Sequence, residues 1–312
     1  MKPGGFAGKF RPMSKHITNS APALAIAVLV AVGCGKPDRA APDPGAAAAR
    51  DAAPEPAEAD AQEDAASVDE ASASGFPPAA TAAERAILEG SPEEPPPKAR
   101  FDDQHYVHSN EQHHELFFPW IEGSGGGYVG VGSDQNYTLL AAARSEWVWL
   151  MDYDTIVNHM HRVSIALVLA SRGPADYMGL WSKDRSAEAE GIVAEAWADR
   201  PDVDDIVKVY RDYRAMTEAY NDRKVTQAGK EKCAFWLHDE GSFEWLKALA
   251  TAGRIRILRG NLLEDVSMRG AGRAAGDLGT KVRVVYMRDA ESFVPYNQAF
   301  RDNFSSLPMD GR

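Results

Sequence analysis

The chain has 312 residues and a formal net charge of −12, with 46 acidic and 34 basic side chains. This acidic balance, without a basic cluster, argues against a nucleic-acid partner, because phosphate backbones are bound by clustered Lys and Arg. The only cysteines are Cys34 and Cys233, which excludes a disulfide scaffold and a cysteine-rich zinc site.

Residues 1–34 have the pattern of a signal peptide that ends in a lipidation motif. Ala21–Gly33 is apolar and uncharged, and as a helix it would extend only about 20 Å against roughly 30 Å of hydrocarbon. Ala31–Cys34 resembles a bacterial lipobox, in which the cysteine is lipidated and becomes the mature N-terminus. We therefore predict an extracytoplasmic protein anchored to the envelope through Cys34, and Gly35 favours the outer membrane. An uncleaved membrane anchor is the alternative.

Residues 35–98 consist mainly of Ala, Pro, Asp and Glu and contain more than half of the 19 prolines. Few of these side chains can build a hydrophobic core, so we predict a disordered tether with at most a transient helix at Thr81–Glu89. A flexible chain of this length spans on the order of 45 Å, which would hold the following domain away from the membrane.

Residues 99–312 alternate short apolar runs with amphipathic segments, as is typical of an α/β domain. Four strands are predicted, at Tyr128–Val131, Trp147–Met151, Arg254–Leu258 and Lys281–Met287. Helices are predicted at Tyr137–Arg144, Thr155–Ser171, Ala175–Trp181, Ala187–Trp197, Val203–Tyr220, Gly241–Gly253, Val266–Leu278 and Phe293–Phe304. The continuous apolar strands favour a mostly parallel, Rossmann-like sheet, with a helical insertion at about 172–240.

The turn after the first strand has the pattern of a Rossmann-like ligand site. Its candidate ligand-binding residues are Gly130, Gly132, Asp134, Gln135 and Asn136. In such turns the glycines let a ligand approach the backbone, and the N–H groups at the helix start face it. The third glycine of the dinucleotide fingerprint is replaced by Gln135. The alternative is that the glycines only let strand and helix pack closely.

Three predicted strands end in polar residues. Asp152 follows the second strand, Gly260 and Asn261 follow the third, and Arg288 and Asp289 follow the fourth. The carboxyl ends of parallel strands meet at one edge of the sheet, where open α/β sheets bind ligands. We therefore predict a ligand site at this edge, with Asp152 placed to accept hydrogen bonds from ribose hydroxyls.

Four histidines lie near the start of the domain, at positions 105, 108, 113 and 114. Imidazole suits zinc or copper, but adjacent histidines point to different faces of a helix or strand, and no His-Glu-x-x-His motif occurs. We therefore predict no metal site. A metal-dependent hydrolase that uses Asp152, Asp154 and nearby histidines is a lesser alternative.

Ser109–Glu111, the G-V-G-x-x-Q-N turn that ends at Asn136, and residues 259–304 resemble a bacterial lipoprotein or secreted family with a methyltransferase-like domain. The resemblance implies a Rossmann-like fold similar to S-adenosylmethionine-dependent methyltransferases, with S-adenosylmethionine as a possible cofactor. Five residues depart from these patterns: Tyr128 and Asp134 differ from methyltransferase motif I, Asn261 replaces the family's aspartate, and Asp154 and Thr155 replace basic residues that often follow the second strand's acid.

These departures favour a non-catalytic lipoprotein that binds an envelope component or small molecule. The alternative is a methyltransferase that acts on a small or envelope-associated acceptor, with Glu111 or His161 as a base. Methyl transfer chiefly requires alignment of donor and acceptor, so no protein nucleophile is needed. An exported domain meets no cytosolic pool of S-adenosylmethionine, which also favours the binding function.

Overall fold

The computed structural model describes residues 75–97, 104–288, 290 and 295–310. The signal peptide, Cys34, the tether up to residue 74 and Asp289 lie outside these ranges, so the predictions for them stay predictions. Within the described ranges, none of the helices combines the length and apolar character needed to span a membrane.

The centre of the domain is a parallel sheet of four strands. They are β1 (Gly127–Val131), β2 (Trp147–Asp152), β3 (Ile255–Arg259) and β4 (Val282–Tyr286), and they confirm the four predicted strands. Their order is β3-β2-β1-β4, and all three neighbouring pairs are parallel. The direction of strand addition reverses beside β1, since β2 lies on one side of it and β4 on the other. A crevice outside the carboxyl ends of β1 and β4 is where such sheets bind ligands.

Ten α-helices lie in the described ranges: α1 (Ala82–Glu89), α2 (Phe118–Ile121), α3 (Gln135–Ala142), α4 (Thr155–Ala170), α5 (Pro174–Leu180), α6 (Ser186–Ala196), α7 (Val203–Glu231), α8 (Glu240–Thr251), α9 (Ser267–Asp277) and α10 (Gln298–Ser305). The α/β class is confirmed. α7 continues well beyond the predicted end at Tyr220. The prediction stopped there because the second half of the helix is polar and lacks the apolar periodicity that marks a helix. α5, α6 and α7 occupy the predicted insertion.

Helices cover both faces of the sheet. On one face, Tyr128, Val148 and Leu150 pack in a core with residues of α3, α4, α7 and α8. On the other face, Trp149 and Met151 pack with residues of α1, α9 and α10. β2 is buried on both sides, and such a strand is a continuous apolar run in the sequence, which is why its pattern predicted it.

The segment 75–97 belongs to the folded domain, so the prediction of a disordered tether up to residue 98 is wrong for these residues. α1 begins at a capping box in which Thr81 and Glu84 bond each other's backbone N–H groups. Leu88 is 1% exposed and lies in the core with Trp149. The Trp149 indole N–H donates to the Ser91 hydroxyl at 3.0 Å. Alanine and proline dominate the composition of this region and conceal these few anchoring side chains.

Residues 91–94 run along the outer edge of β3. The Glu94 N–H donates to the carbonyl oxygen of Arg259 at 2.9 Å, which covers part of an edge that would otherwise offer unpaired backbone groups. The Glu94 carboxylate is buried and accepts from the N–H groups of Val266 and Ser267 at 3.0 and 2.9 Å. It therefore satisfies the start of α9, where backbone N–H groups have no helical partner.

Candidate functional site

Gly132 holds the turn between β1 and α3 in a conformation that favours glycine. Its φ is +92°, in the left-handed region where a side chain is strained. A Cβ there would lie 2.8 Å from Nε2 of Gln135 and 3.2 Å from Cδ of Arg288. The Arg288 side chain, from the end of β4, therefore lies over this turn.

Gly130 is required by close packing inside the turn. A Cβ at Gly130 would lie 2.1 Å from Oδ1 of Asn136 and 2.6 Å from Cε1 of Tyr128. These two side chains share a buried hydrogen bond, in which the Tyr128 hydroxyl donates to Asn136 Oδ1 at 2.8 Å. The structure thus shows the strand–helix packing role for Gly130, and ligand contact at Gly130 and Gly132 stays a prediction.

The polar side chains after Gly132 fold back onto their own turn. Asn136 Nδ2 donates to the carbonyl oxygens of Val131 and Ser133 at 3.2 and 2.9 Å. Gln135 Nε2 donates to Val131 O at 3.3 Å, and its Oε1 accepts from the Ser133 hydroxyl. Both side chains are almost fully buried. They shape the turn, and any contact with a ligand stays a prediction.

Asp134 precedes α3, but its side chain does not cap the helix. It accepts instead from the Ser109 N–H at 3.0 Å and from the Tyr220 hydroxyl at 2.8 Å. The Asp134 side chain therefore leaves the start of α3 without its cap, although the N–H groups of Asn136 and Tyr137 donate to the carbonyl oxygens of Ser133 and Asp134. Uncapped N–H groups at a helix start, with the positive end of the helix dipole, favour an anion.

His161 supports the turn from below. A carbonyl only accepts, so His161 Nε2–H donates to Gly132 O at 2.7 Å, while Nδ1 accepts from the Tyr137 hydroxyl at 2.7 Å. Burial lowers the pKa of His161 to about 4. The imidazole is therefore neutral, and both of its nitrogens are engaged in positioning the turn. The sequence suggested His161 as a base, but the structure gives it this positioning contact.

Asp152 lies at the carboxyl edge, as predicted. Its Oδ1 accepts from the N–H of Asp154 at 2.8 Å. Burial raises the pKa of Asp152 to about 7; the hydrogen bond from Asp154 N–H opposes the rise, and the charge of Asp154 adds to it. Asp152 is therefore partly protonated near neutral pH. Such a carboxyl group both donates and accepts hydrogen bonds.

The raised pKa of Asp152 predicts that stability falls as pH rises. Between about pH 4 and pH 7 the carboxyl group of Asp152 keeps its proton in the folded state and releases it in the unfolded state. The free energy of unfolding is therefore highest, as far as Asp152 contributes, below pH 4, and it falls as the pH rises to about 7. Asp152→Asn, whose amide oxygen still accepts from Asp154 N–H, should flatten the pH dependence. It should raise the free energy of unfolding at pH 8 by on the order of 2 kcal/mol, since each pKa unit corresponds to about 1.4 kcal/mol and partial exposure reduces the full amount.

Urea unfolding at pH 5, 6, 7 and 8 measures this difference. The matched control is Asp199→Asn, which changes an exposed carboxylate and should leave the pH profile parallel to the wild type. A parallel profile for Asp152→Asn as well would contradict an elevated pKa at this position.

Gly260 and Asn261 lie beside Asp152, at the end of β3. Gly260 N–H donates to Asp152 O at 3.1 Å, and a Cβ at Gly260 would lie 2.8 Å from Sδ of Met151. Asn261 Oδ1 accepts from Leu263 N–H at 3.0 Å and so closes its own local turn. The predicted meeting of strand ends at one edge is thus confirmed for Asp152, Gly260–Asn261 and Arg288, while contacts of their side chains with a ligand stay predictions.

Residues 104–111, here called the strap, cross the carboxyl edge of the sheet. His105 Nδ1 lies 2.6 Å from Oδ2 of Asp154, beyond β2. The Ser109 backbone bonds Asp134 at the β1 turn, and Arg288 donates to Oδ1 of Asn110 at 2.9 Å. The strap therefore covers part of the carboxyl edge, which the sequence did not predict.

Glu111, the last residue of the strap, lies near the end of β4. The Tyr286 hydroxyl donates to the Glu111 carboxylate, and His114 Nε2 lies 3.6 Å away. Burial raises the pKa of Glu111, but the nearby His114 imidazole and the hydrogen bond from Tyr286 outweigh this effect, so the pKa lies below its usual value. The positive charge of Arg288 acts in the same direction on Glu111 and Asp152. Arg288 therefore lies within electrostatic reach of both the Glu111 and the Asp152 carboxyl groups.

The histidines near the start of the domain contact different residues. His105 meets Asp154, His113 bonds Glu115 at 2.9 Å, and His108 stacks on Tyr220 with ring centroids 4.4 Å apart. Within the described ranges, no group of three or more His, Cys, Asp or Glu side chains is placed to hold a metal ion.

A comparison with curated proteins found no match to this sequence. A family model described as "Domain of unknown function (DUF7790)" matches residues 106–312. The match begins within the strap and includes all four strands, the glycine turn and the carboxyl edge. It covers about two thirds of the chain, and the chain therefore belongs to the DUF7790 family.

Proposed function

We propose that the chain is a membrane-tethered, extracytoplasmic lipoprotein whose Rossmann-like, methyltransferase-like domain binds a small anionic molecule without converting it. The binding site would be the crevice at the carboxyl ends of β1 and β4. The observation that carries the proposal is the position of Arg288 over Gly132, at the reversal of the strand order. The proposed lipid anchor is inferred from the lipobox-like sequence Ala31–Cys34. Labelling of Cys34 with a fatty-acid probe tests this anchor.

Charge and hydrogen bonding define the kind of ligand. Arg288 and the uncapped start of α3 favour an anionic group, such as a carboxylate or phosphate. Asp152, partly protonated, and Glu111, ionised, favour hydroxyl or amine groups on the same molecule. A molecule that carries both an anionic end and hydrogen-bond donors is complementary to this crevice.

The contacts of the two candidate bases support binding without catalysis. A general base must reach the proton that it abstracts. Both nitrogens of His161 are engaged within the protein, and Glu111 accepts from the Tyr286 hydroxyl. Each group thus has a contact that holds the crevice in shape.

A second candidate function is methyl transfer from S-adenosylmethionine. The placement of Asp152 at the end of β2, next to the glycine turn, favours it, because an acid at this position accepts ribose hydroxyls in Rossmann-like folds. Release of S-adenosylhomocysteine in the presence of an acceptor would distinguish this enzyme from a binding protein.

A thermal-shift screen of the full chain against nucleosides, nucleotides, S-adenosylmethionine and small carboxylates tests the proposal. For the compound that binds, Arg288→Gln should reduce affinity about 10- to 150-fold, which corresponds to the roughly 1.5–3 kcal/mol of a hydrogen bond to a charged group. Isothermal titration measures the change. Arg273→Gln, at an exposed position of α9, is the matched control and should bind like the wild type. Equal affinity of the wild type and Arg288→Gln would defeat the proposed site.

A further inference from the structure

Three arginine side chains converge at the outer edge of β3, two strands away from β1. Arg162 comes from α4, and Arg256 and Arg259 come from β3. Their guanidinium nitrogens lie 3.9, 3.2 and 3.9 Å from the Glu93 carboxylate. We call these three residues the arginine cluster. Three guanidinium groups around one carboxylate leave a local excess of positive charge, in a chain whose net charge is −12.

Arg162 is the most buried member of the cluster, with 4% of its side chain exposed. Its Nη2 donates to Ile257 O at 3.2 Å, and its Nη1 lies 3.4 Å from Nδ1 of His159. Burial lowers the pKa of Arg162 to about 10, and the charge of Arg200 adds to this effect. At 3.9 Å, the Glu93 carboxylate is beyond hydrogen-bond distance. A buried charge is costly without a closely paired counterion, so this guanidinium is only partly compensated.

Arg256 retains an unused donor. Its Nη1 donates to Ile257 O, and its Nη2 donates to Ser91 O and Glu93 Oε1, each at 3.2 Å. Its Nε is buried and has no hydrogen-bond partner among the residues that the structure describes. The bonds to Ile257 O protect the edge of the sheet, but they account neither for the unused Nε–H nor for the excess charge.

We propose that the arginine cluster binds a phosphate group, and that the Glu93 carboxylate fills this site when no phosphate is bound. A phosphate group offers several acceptor oxygens, and guanidinium groups bind such oxyanions through pairs of N–H bonds. Glu93 is 27% exposed, so a rotation of its side chain opens the site. Glu94 can keep its bonds to α9 during this movement, because the two side chains are separate. The phosphate group would come from free phosphate or a phosphomonoester, or from a phospholipid headgroup.

Calorimetric titration of the full chain with inorganic phosphate tests this site. We expect saturable binding to the wild type and at least about tenfold tighter binding to Glu93→Gln, because this variant removes a competing negative charge within about 4 Å. Glu89→Gln, at the exposed end of α1, is the matched control and should bind like the wild type. In the Glu93→Gln background, Arg256→Gln should weaken binding at least about tenfold, since it removes charge-assisted bonds.

A parallel titration with glycerophosphoglycerol, a soluble phosphodiester headgroup, separates the two sources. Tighter binding of inorganic phosphate supports a free phosphate or monoester, and tighter binding of the diester supports a lipid headgroup.

Absence of saturable binding of both compounds to the wild type would overturn the proposal, and so would equal affinity of Glu93→Gln and the wild type. If Glu93→Gln does not fold, as judged by circular dichroism, Arg256→Gln in the wild-type background decides: unchanged phosphate binding overturns the site. Glu93 and Arg256 lie at β3, away from the crevice, so their variants report on this site, whereas Arg288→Gln reports on the crevice; failure of one site is therefore distinguishable from failure of the other.

Discussion

A chain that begins at residue 99 should fail to fold, although it contains every residue that the family model matches. The truncation removes α1 and leaves the Trp149 face of the sheet partly uncovered. It also removes the Glu94 carboxylate, so that the buried N–H groups of Val266 and Ser267 lose their acceptor. Burial of a Leu side chain contributes roughly 1.5–3 kcal/mol, and each unsatisfied buried group costs about 1–3 kcal/mol. Together these losses approach the roughly 5–15 kcal/mol by which a domain is stable.

Near-ultraviolet circular dichroism and urea unfolding of residues 75–312 and 99–312 measure this effect. The longer fragment should unfold like the full chain, and the shorter one should lack a cooperative transition. Glu94→Gln keeps an acceptor oxygen and Glu94→Ala does not, so the alanine variant should be the less stable of the two. A stable, cooperatively unfolding 99–312 fragment would show that the segment 75–97 is dispensable.

Gly130→Ala should be strongly destabilising, at about 3 kcal/mol or more. The new Cβ would lie 2.1 Å from Oδ1 of Asn136, so the buried bond between Tyr128 and Asn136 must break or the strand must shift. Overpacking costs about 1–3 kcal/mol, and an unsatisfied buried group adds about 1–3 kcal/mol. Chemical denaturation of the purified variant measures the change in the free energy of unfolding.

The matched control for Gly130→Ala is Gly191→Ala, in the middle of α6. A Cβ at Gly191 meets no atom within 4 Å, so alanine should stabilise the helix by roughly 0.5–1 kcal/mol. If Gly130→Ala is as stable as the wild type, Gly130 does not serve packing, and its hydrogens face open space that a ligand could fill.

Local sequence patterns were sufficient to predict the sheet. β2 is a run of bulky apolar residues, and β4 is rich in valine, so both are recognisable without tertiary information. The segment 75–97 was not predicted, because its order depends on distant partners such as Trp149 and Arg259. Its capping box at Thr81–Glu84 was a local signal for α1, but proline and alanine around it favoured disorder.

The candidate site was predictable in position but not in the roles of its residues. The polar ends of the strands predicted the carboxyl edge correctly, because topology alone brings them together. The pairing of Glu111 with Tyr286 and the position of Arg288 over Gly132 depend on contacts between residues far apart in the chain. No periodicity or spacing encodes such contacts, so neither the strap nor the arginine cluster could be predicted from the sequence.

Hydrogen exchange of the full chain, with and without the compound that binds in the thermal-shift screen, tests the proposed crevice most directly. The amides of Ser133, Asp134 and Gln135 lie at the uncapped start of α3, where an anionic group would accept their hydrogens. We predict that saturating compound slows exchange at these amides and in the strap, and that Arg288→Gln reduces this protection. Unchanged exchange at the turn, with protection elsewhere in the domain, would contradict a ligand site at the carboxyl ends of β1 and β4.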